Sequence, residues 1–154
     1  MSLNLRRVVT GHDEQGRAIV AIDEICNNVI SRRPNHSSCV VWSTGNFPAD
    51  NADKTDGAKR QVATTDPGGT VFRVVQYEPG VAPRNHRTES LDYAVVLSGE
   101  IDMELEGSVV HLRAGDVLVQ RGTVHNWVNR GTHACVIAFV LVAAKPMENL
   151  GAMG

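Results

Sequence analysis

Two polar clusters between residues 80 and 129 carry the side chains that could do chemistry. The first places His86, Thr88 and Asp92 at positions i, i+2 and i+6 of a strand-like run. Side chains of a β-strand alternate between its two faces, so these three are predicted to point to one side. The second cluster lies on a later run and also shares one parity; its members are Thr123, His125, Trp127 and Asn129.

If both clusters face one interior, His86 and His125 bring two imidazoles to the carboxylate of Asp92. The spacing resembles the two motifs of the cupin superfamily. The positions that define the first cupin motif are occupied here by Gly80, His86, Thr88, Asp92 and Gly99. The second motif is matched by Gly115, Gly122, His125 and Asn129. Three positions depart from the family pattern, because Thr88 replaces a His, Asp92 a Glu and Gln120 a Pro.

The resemblance implies a small jelly-roll barrel that binds a small organic molecule. Two imidazoles and one carboxylate form the set with which proteins hold Fe(II), and the same set can hold Mn, Ni or Zn. His86, His125 and Asp92 are therefore candidate metal ligands and catalytic residues of a dioxygenase-like enzyme. Since Thr88 is a weak ligand and Asp92 is short, we expect such a site to bind metal weakly.

Two alternatives keep the pocket without the ion. In a metal-free lyase or isomerase, His86 or His125 would act as general base or acid and Asp92 would orient it. In a sensor or storage module, the pocket would only bind its ligand. In either case the expected pocket-lining residues are Thr88, Trp127, Asn129 and Arg84, of which Arg84 could meet an anionic group.

Composition narrows the partners of this chain of 154 residues, a length that suggests one domain. The net charge is -2 and no basic run exceeds two residues, so nucleic acid and anionic membrane are not expected as partners. We also expect no nucleotide cofactor. The three cysteines and the absence of a signal-like N-terminus predict buried, reduced thiols in a cytoplasmic protein.

Short β-prone runs separated by turn residues predict an all-β antiparallel sandwich or barrel, with its core at 70–143. The N-terminal part, 1–69, is predicted to contain a β-hairpin at 6–23, a loop at 26–36 and a strand at 38–43. A long polar loop at 44–69 completes it. This loop either covers the barrel mouth as a lid, with Phe47 as its anchor, or packs on the outside.

Two predicted strands, Tyr93–Leu97 and Cys135–Val142, are apolar on both faces. A barrel strand needs only one buried face, so the N-terminal hairpin or a second subunit should cover the other. The cupin resemblance also supports a homodimer. The alternating strand 100–106 should turn an acidic face to solvent, while His111 on the next strand is expected to be partly buried.

Overall fold

The computed structural model describes residues 2–148. That part of the chain forms eleven strands: β1 (Arg6–His12), β2 (Ala18–Ile25), β3 (Ile30–Arg33), β4 (His36–Thr44), β5 (Thr70–Tyr77), β6 (Ser90–Ser98), β7 (Glu100–Leu105), β8 (Ser108–Arg113), β9 (Val117–Arg121), β10 (Asn126–Val128) and β11 (Cys135–Ala143). Among the described residues, no helix is long and apolar enough to span a membrane.

The strands form two facing sheets and a separate two-stranded ribbon, with every pairing antiparallel. The larger sheet has the strand order β3-β4-β5-β11-β6-β9, and the smaller has the order β10-β7-β8. The predicted all-β antiparallel sandwich is therefore confirmed. In this sheet β11 lies between β5 and β6, and β6 pairs with β9, so tertiary pairing brings the two motifs to one interior.

Alternation along β6 and β7 separates the core from the surface. Ala94 and Val96 on β6, and Ile101 and Met103 on β7, are buried in one apolar cluster between the sheets. The acidic residues of β7 fall on its opposite face, as the sequence predicted. Gly99 joins these strands with φ +75°, and a Cβ there would lie 2.3 Å from the carbonyl oxygen of Ala134. Only glycine fits this turn without displacing the backbone.

The N-terminal hairpin is confirmed as the ribbon β1-β2, with β1 ending at His12. Asp13 closes the turn, because its Oδ1 accepts hydrogen bonds from the backbone N–H groups of Gln15 and Arg17, both at 2.9 Å. The predicted loop at 26–36 is wrong. Much of it forms β3 and the start of β4, joined by a tight turn in which Asn35 has φ 62°.

The long loop follows the outside of the sheet for most of its length. Arg7 binds Asp56 through two hydrogen bonds of 2.7 and 2.8 Å, and Ser43 donates to the Gly57 carbonyl at 2.6 Å. Phe47 is 77% exposed, so its prediction as a lid anchor is wrong. Only the later part of the loop turns inward, where Val62 packs against the core.

The outer face of the large sheet is covered on one half only. A second apolar cluster packs the N-terminal residues Leu3 and Cys26 against Cys39 on β4 and Val74 on β5. Cys26, Cys39 and Cys135 are all buried free thiols, as predicted. The other half of the face lies on β6 and β9 and stays exposed; its apolar residues are Tyr93, Val95, Leu97, Val117 and Val119.

The same chain exposes further apolar side chains on the ribbon β1-β2, where Val8, Val20 and Ile25 share one face. A two-stranded ribbon is marginally stable in water unless it packs against another element. Two copies related by a two-fold axis could bring each ribbon to the exposed β6-β9 face of the other copy and close the assembly. We therefore expect a homodimer.

Light scattering at micromolar concentration is predicted to give twice the mass of one chain. Val119→Lys should shift the mass to that of a single chain, because it places a charge in the middle of the β6-β9 face. Val109→Lys is the matched control, since Val109 is equally exposed (59% against 58%) but lies on β8 of the other sheet. A single-chain mass for the unmodified protein would contradict the prediction.

Candidate functional site

The two motif histidines are joined to each other through their main chains. The N–H of His86 donates to the carbonyl of His125 at 3.0 Å, and the N–H of His125 donates to the carbonyl of His86 at 2.9 Å. This isolated antiparallel bridge connects two segments that lie far apart in the sequence. It places the imidazole rings side by side, with centroids 4.4 Å apart and planes inclined by 51°.

Both rings use the same nitrogen to hold their orientation. Nδ1 of His86 is 3.0 Å from the carbonyl oxygen of Arg84, and Nδ1 of His125 is 2.9 Å from that of Thr123. A carbonyl oxygen only accepts hydrogen bonds, so in each neutral ring Nδ1 carries the proton. Nε2 of each ring is then a bare acceptor, available to a ligand in the cavity.

Burial keeps both rings neutral at pH 7. The pKa of His125 is lowered to about 4, mainly by desolvation and in smaller part by repulsion from His86 and Arg84. The pKa of His86 is also lowered, mainly by desolvation. In each case the hydrogen bond to the backbone carbonyl opposes the shift. The site therefore offers two uncharged Nε2 lone pairs at physiological pH.

Asp92 lines the same cavity but belongs to another hydrogen-bonded chain. Ser90 donates through Oγ to its Oδ1 at 2.6 Å, and Thr88 Oγ1 lies 2.9 Å from Ser90 Oγ. Burial raises the pKa of Asp92, while the bond from Ser90 opposes that shift. The expectation that Asp92 orients a histidine is wrong, because backbone carbonyls hold both rings.

The fit of these residues to a metal ion can be tested on their arrangement. Within residues 2–148, no group of three or more His, Cys, Asp or Glu side chains is placed to hold an ion. His86 and His125 thus form a pair, and the predicted third ligand, Asp92, does not complete it. The residues present therefore do not fit the metal site of two imidazoles and one carboxylate that was expected from the sequence.

A cavity of about 280 Å³ lies in front of these side chains. The predicted residues Arg84, His86, Thr88, Asp92, His125 and Trp127 all line it. Trp127 forms the centre of an aromatic wall, with ring centroids 5.8 Å from Tyr77, 5.9 Å from Phe139 and 6.0 Å from His125. The large sheet supplies the opposite side, and Thr64 of the long loop also contributes.

Asn129 does not line the cavity, which corrects its prediction as a pocket residue. Its side-chain amide is buried and donates to the carbonyls of Tyr77, at 3.0 Å, and His133, at 2.9 Å. Its Oδ1 accepts the N–H of Gly131 at 3.0 Å. Asn129 therefore fixes the turn that follows β10 and acts as a structural residue.

Asn126, which was not among the predicted site residues, positions the segment that carries His86. Its Oδ1 accepts the backbone N–H of Arg84 at 2.8 Å, and its Nδ2 donates to Glu104 at 2.8 Å. Asn126 thus ties the start of the His86 segment to the small sheet. His125 and Trp127, on either side of it, line the cavity. Asn126 points to the opposite face of the strand, so the alternation of side chains did not indicate a role for it in the site.

Residues of β3 and β4 were also missed because that region was predicted to be a loop. His36 lines the cavity beside Tyr77, with ring centroids 5.4 Å apart, and burial lowers its pKa to about 4. Arg32 and Arg33 line the entrance from β3. The Pro34-Asn35 pair between two β-prone runs was the available hairpin signal.

The acidic face of β7 takes part in a surface ion network. His111 is exposed, so the expectation that it is partly buried is wrong. Its Nδ1 lies 2.6 Å from Asp102 and its Nε2 lies 2.7 Å from Glu100. Arg130 binds Asp102 and Glu104 at 2.8 and 2.9 Å. These acids neutralise surface cations and stay outside the cavity.

The low pKa of His125 predicts that acid destabilises the protein. Between pH 6.5 and about 4 the unfolded chain binds a proton at His125 that the folded chain does not, so stability falls as the pH falls through this window. His125 alone should contribute on the order of 2 kcal/mol by pH 4.5. Urea unfolding at pH 7 and pH 4.5 measures this, and His125→Gln should reduce the difference.

His12→Gln is the control variant, because it removes an exposed histidine outside the cavity. An equal loss of stability on acidification in the unmodified protein and in His125→Gln would show that His125 is not held neutral by burial.

Comparison with known proteins agrees with this architecture. A family model described as "Cupin domain" matches residues 73–142. Phomopsin biosynthesis cluster protein C' of Diaporthe leptostromiformis is 37% identical over 92% of this chain and 80% of its own length. A cupin-domain-containing oxidoreductase of Aspergillus ruber is 34% identical over 88% of this chain and 71% of its own length.

Among solved structures, the polyketide cyclase RemF from Streptomyces resistomycificus superposes with a TM-score of 0.53. It is 19% identical, and the match covers 78% of each chain. At this identity the likeness concerns the fold alone. The family model, the relatives matched over most of this chain and the paired motif histidines in a β-sandwich lead to one conclusion: this chain belongs to the cupin superfamily.

Proposed function

We propose that this protein is an enzyme of small-molecule metabolism that uses a neutral histidine to move a proton on its substrate. The observation that carries the proposal is the tautomer of His86 and His125, whose Nδ1–H groups are held by carbonyls while their Nε2 atoms are bare. The reaction class is that of a metal-free lyase or isomerase. Relatives named as a biosynthesis cluster protein and as an oxidoreductase support a role in small-molecule chemistry.

A bare Nε2 is suited to accept a proton from a substrate at hydrogen-bond distance. When one ring takes up a proton, its Nδ1–H bond to a backbone carbonyl becomes charge-assisted, which stabilises the imidazolium. The second ring, 4.4 Å away by centroid, remains neutral and can accept a hydrogen bond from the same substrate. The proton is later returned to another position of the substrate or to its leaving group.

Asp92 supplies the complementary role in this proposal. Burial raises its pKa, so its neutral acid form is more accessible than that of an exposed aspartate. The hydroxyls of Ser90 and Thr88 form a short chain from Asp92 along the same wall. A carboxyl group on this wall can donate a proton while a histidine on the facing segment accepts one.

An oxidoreductase is the second candidate, and it is favoured by the name of the Aspergillus ruber relative. Such an activity needs an electron acceptor, and the metal-dependent form expected from the sequence would use His86 and His125 as its ligands. Among the described residues, the third ligand of the expected set, Asp92, does not join these two histidines in one metal-binding group. We derive no step through a metal from this pair.

Proton abstraction can be measured directly with a panel of carbonyl compounds that contain an acidic C–H bond. In D2O, the protein should catalyse exchange of that hydrogen for deuterium in at least one compound, followed by ¹H NMR. The double variant His86→Gln/His125→Gln should lower the exchange rate roughly 100-fold or more, because both proton acceptors are lost. Circular dichroism verifies that the variant is folded.

His111→Gln is the matched control, because His111 is a histidine on the outer face of the small sheet and should not affect exchange. Exchange that persists at the unmodified rate in the double variant would overturn the proposed role of the two rings. Elemental analysis of the protein, purified without a histidine tag, tests the second candidate in the same samples. Stoichiometric metal that is lost in His86→Ala would favour the oxidoreductase.

A further inference from the structure

The cavity contains an unusual excess of positive charge. Four arginines line it, namely Arg32, Arg33, Arg73 and Arg84, and the only acidic residue among its lining side chains is Asp92. The three lining histidines, His36, His86 and His125, have lowered pKa values and add no charge at neutral pH.

Several arginines outside the cavity form ion pairs with acids. Arg7 binds Asp56 and Glu24, Arg60 binds Asp66, and Arg130 binds Asp102 and Glu104. In contrast, within the described range 2–148 no carboxylate forms a salt bridge with any of the four cavity arginines. Positive charge without a carboxylate partner is therefore concentrated at this cavity.

Arg73 is the most enclosed of the four. It follows the inward-facing parity of Val71 and Val75 on β5, and its Nη2 donates to the carbonyls of Ala63 and Thr64 at 2.7 and 3.4 Å. Its Nε is buried without a hydrogen-bond partner in the described structure. The Nε of this half-buried side chain has therefore lost hydration without a hydrogen-bond partner, and the guanidinium has gained no counter-charge.

Arg33 and Arg84 complete the charged side of the cavity. Arg33 donates through Nη1 to the carbonyl of Ala82 at 2.8 Å, which places its guanidinium beside the segment that carries Arg84. Desolvation is the main cause of the lowered pKa of Arg33, and repulsion by Arg84 adds to it. Two like charges are thus held near each other, an arrangement that an anion between them would stabilise.

The opposite part of the cavity is apolar and aromatic. Trp127, Phe139 and Leu141 line it, and the ring of Trp127 contacts that of Phe139 edge-on. A ligand that matches both parts has an oxyanion at one end and a flat or apolar body at the other. Guanidinium groups bind carboxylates through paired N–H donors, so a carboxylate is the group of the correct shape and charge.

We propose that the substrate is a small organic acid whose carboxylate is bound by Arg33, Arg73 and Arg84 and whose apolar or aromatic body lies against Trp127 and Phe139. The inference rests on the proposed function in that it takes this cavity as the substrate site. It adds the chemical class of the substrate and the residues that select it. His86 and His125 line the same cavity, so an acid bound there lies within the site that holds both imidazoles.

A shape-matched pair of probes separates charge from size. 2-Naphthoate and its methyl ester present the same aromatic body with and without the negative charge, and isothermal titration calorimetry measures their binding. We expect the acid to bind at least roughly tenfold more tightly than the ester, because charge-assisted hydrogen bonds are lost in the ester. Added salt should weaken binding of the acid and leave that of the ester unchanged.

Arginine variants identify the binding group. Arg73→Gln and Arg84→Gln should each weaken naphthoate binding roughly tenfold and leave ester binding unchanged. Arg84 is exposed and its side chain has no hydrogen bond in the described structure, so its variant should fold even if Arg73→Gln does not. Arg113→Gln is the matched control, because Arg113 is an exposed arginine on β8, outside the cavity.

Naphthyl phosphate distinguishes a carboxylate site from a phosphate site. If only the phosphate binds and its binding depends on Arg73 and Arg84, the anion site is supported but the substrate class is changed to phosphate esters. Equal binding of acid and ester, no binding of any charged probe at millimolar concentration, or arginine variants that bind like the unmodified protein would overturn the inference. None of these outcomes depends on turnover, so they are separate from failure of the proton-exchange test.

Discussion

The reciprocal pair of backbone hydrogen bonds between His86 and His125 is the constraint on which the site depends. It forces two segments from different parts of the chain into contact at one point, and both rings must then project from that point. Each ring is oriented by the carbonyl two residues before it, so the main chain alone sets the tautomer. Because backbone groups do this work, no carboxylate is required beside either imidazole, and Asp92 is free for a separate role.

Hydrogen bonds from the small sheet also hold the segment that carries His86. Asn126 holds the backbone of Arg84 with one end of its amide and Glu104 with the other, and Glu104 is in turn bound by Arg130. A chain of hydrogen bonds therefore runs from the outer acidic face to the segment that carries His86. This connection gives the surface ion network a structural purpose, because it fixes the register of the segment that enters the cavity.

Electrostatics divide the molecule into two regions of opposite character. Outside the small sheet, acids and cations are paired, as with His111 between Glu100 and Asp102. Around the cavity, cations such as Arg73 remain without a carboxylate partner. Burial lowers the pKa of His125, so the nearby bases are neutral while the guanidinium groups keep their charge. A site of this kind is suited to bind an anion and to accept a proton at the same time.

The fold class followed from the sequence, because short alternating strands such as β7 and glycine turns such as Gly99 are local features. The same alternation placed His86, Asp92 and His125 on inward faces. It could not decide which polar groups bond to each other, since Asp92 to Ser90 and Asn129 to Tyr77 are contacts that depend on side-chain geometry and long-range pairing.

Only the tertiary structure brought Arg33 and His36 to the cavity, because β3 becomes a strand by pairing with β4 at the sheet edge. It also left Phe47 of the long loop on the surface. The sequence by itself determined the inward faces of β6 and β7 and of the two histidine motifs. Which of them meet was decided by the non-local pairing of β4, β5, β11 and β6, whose register no local pattern contains.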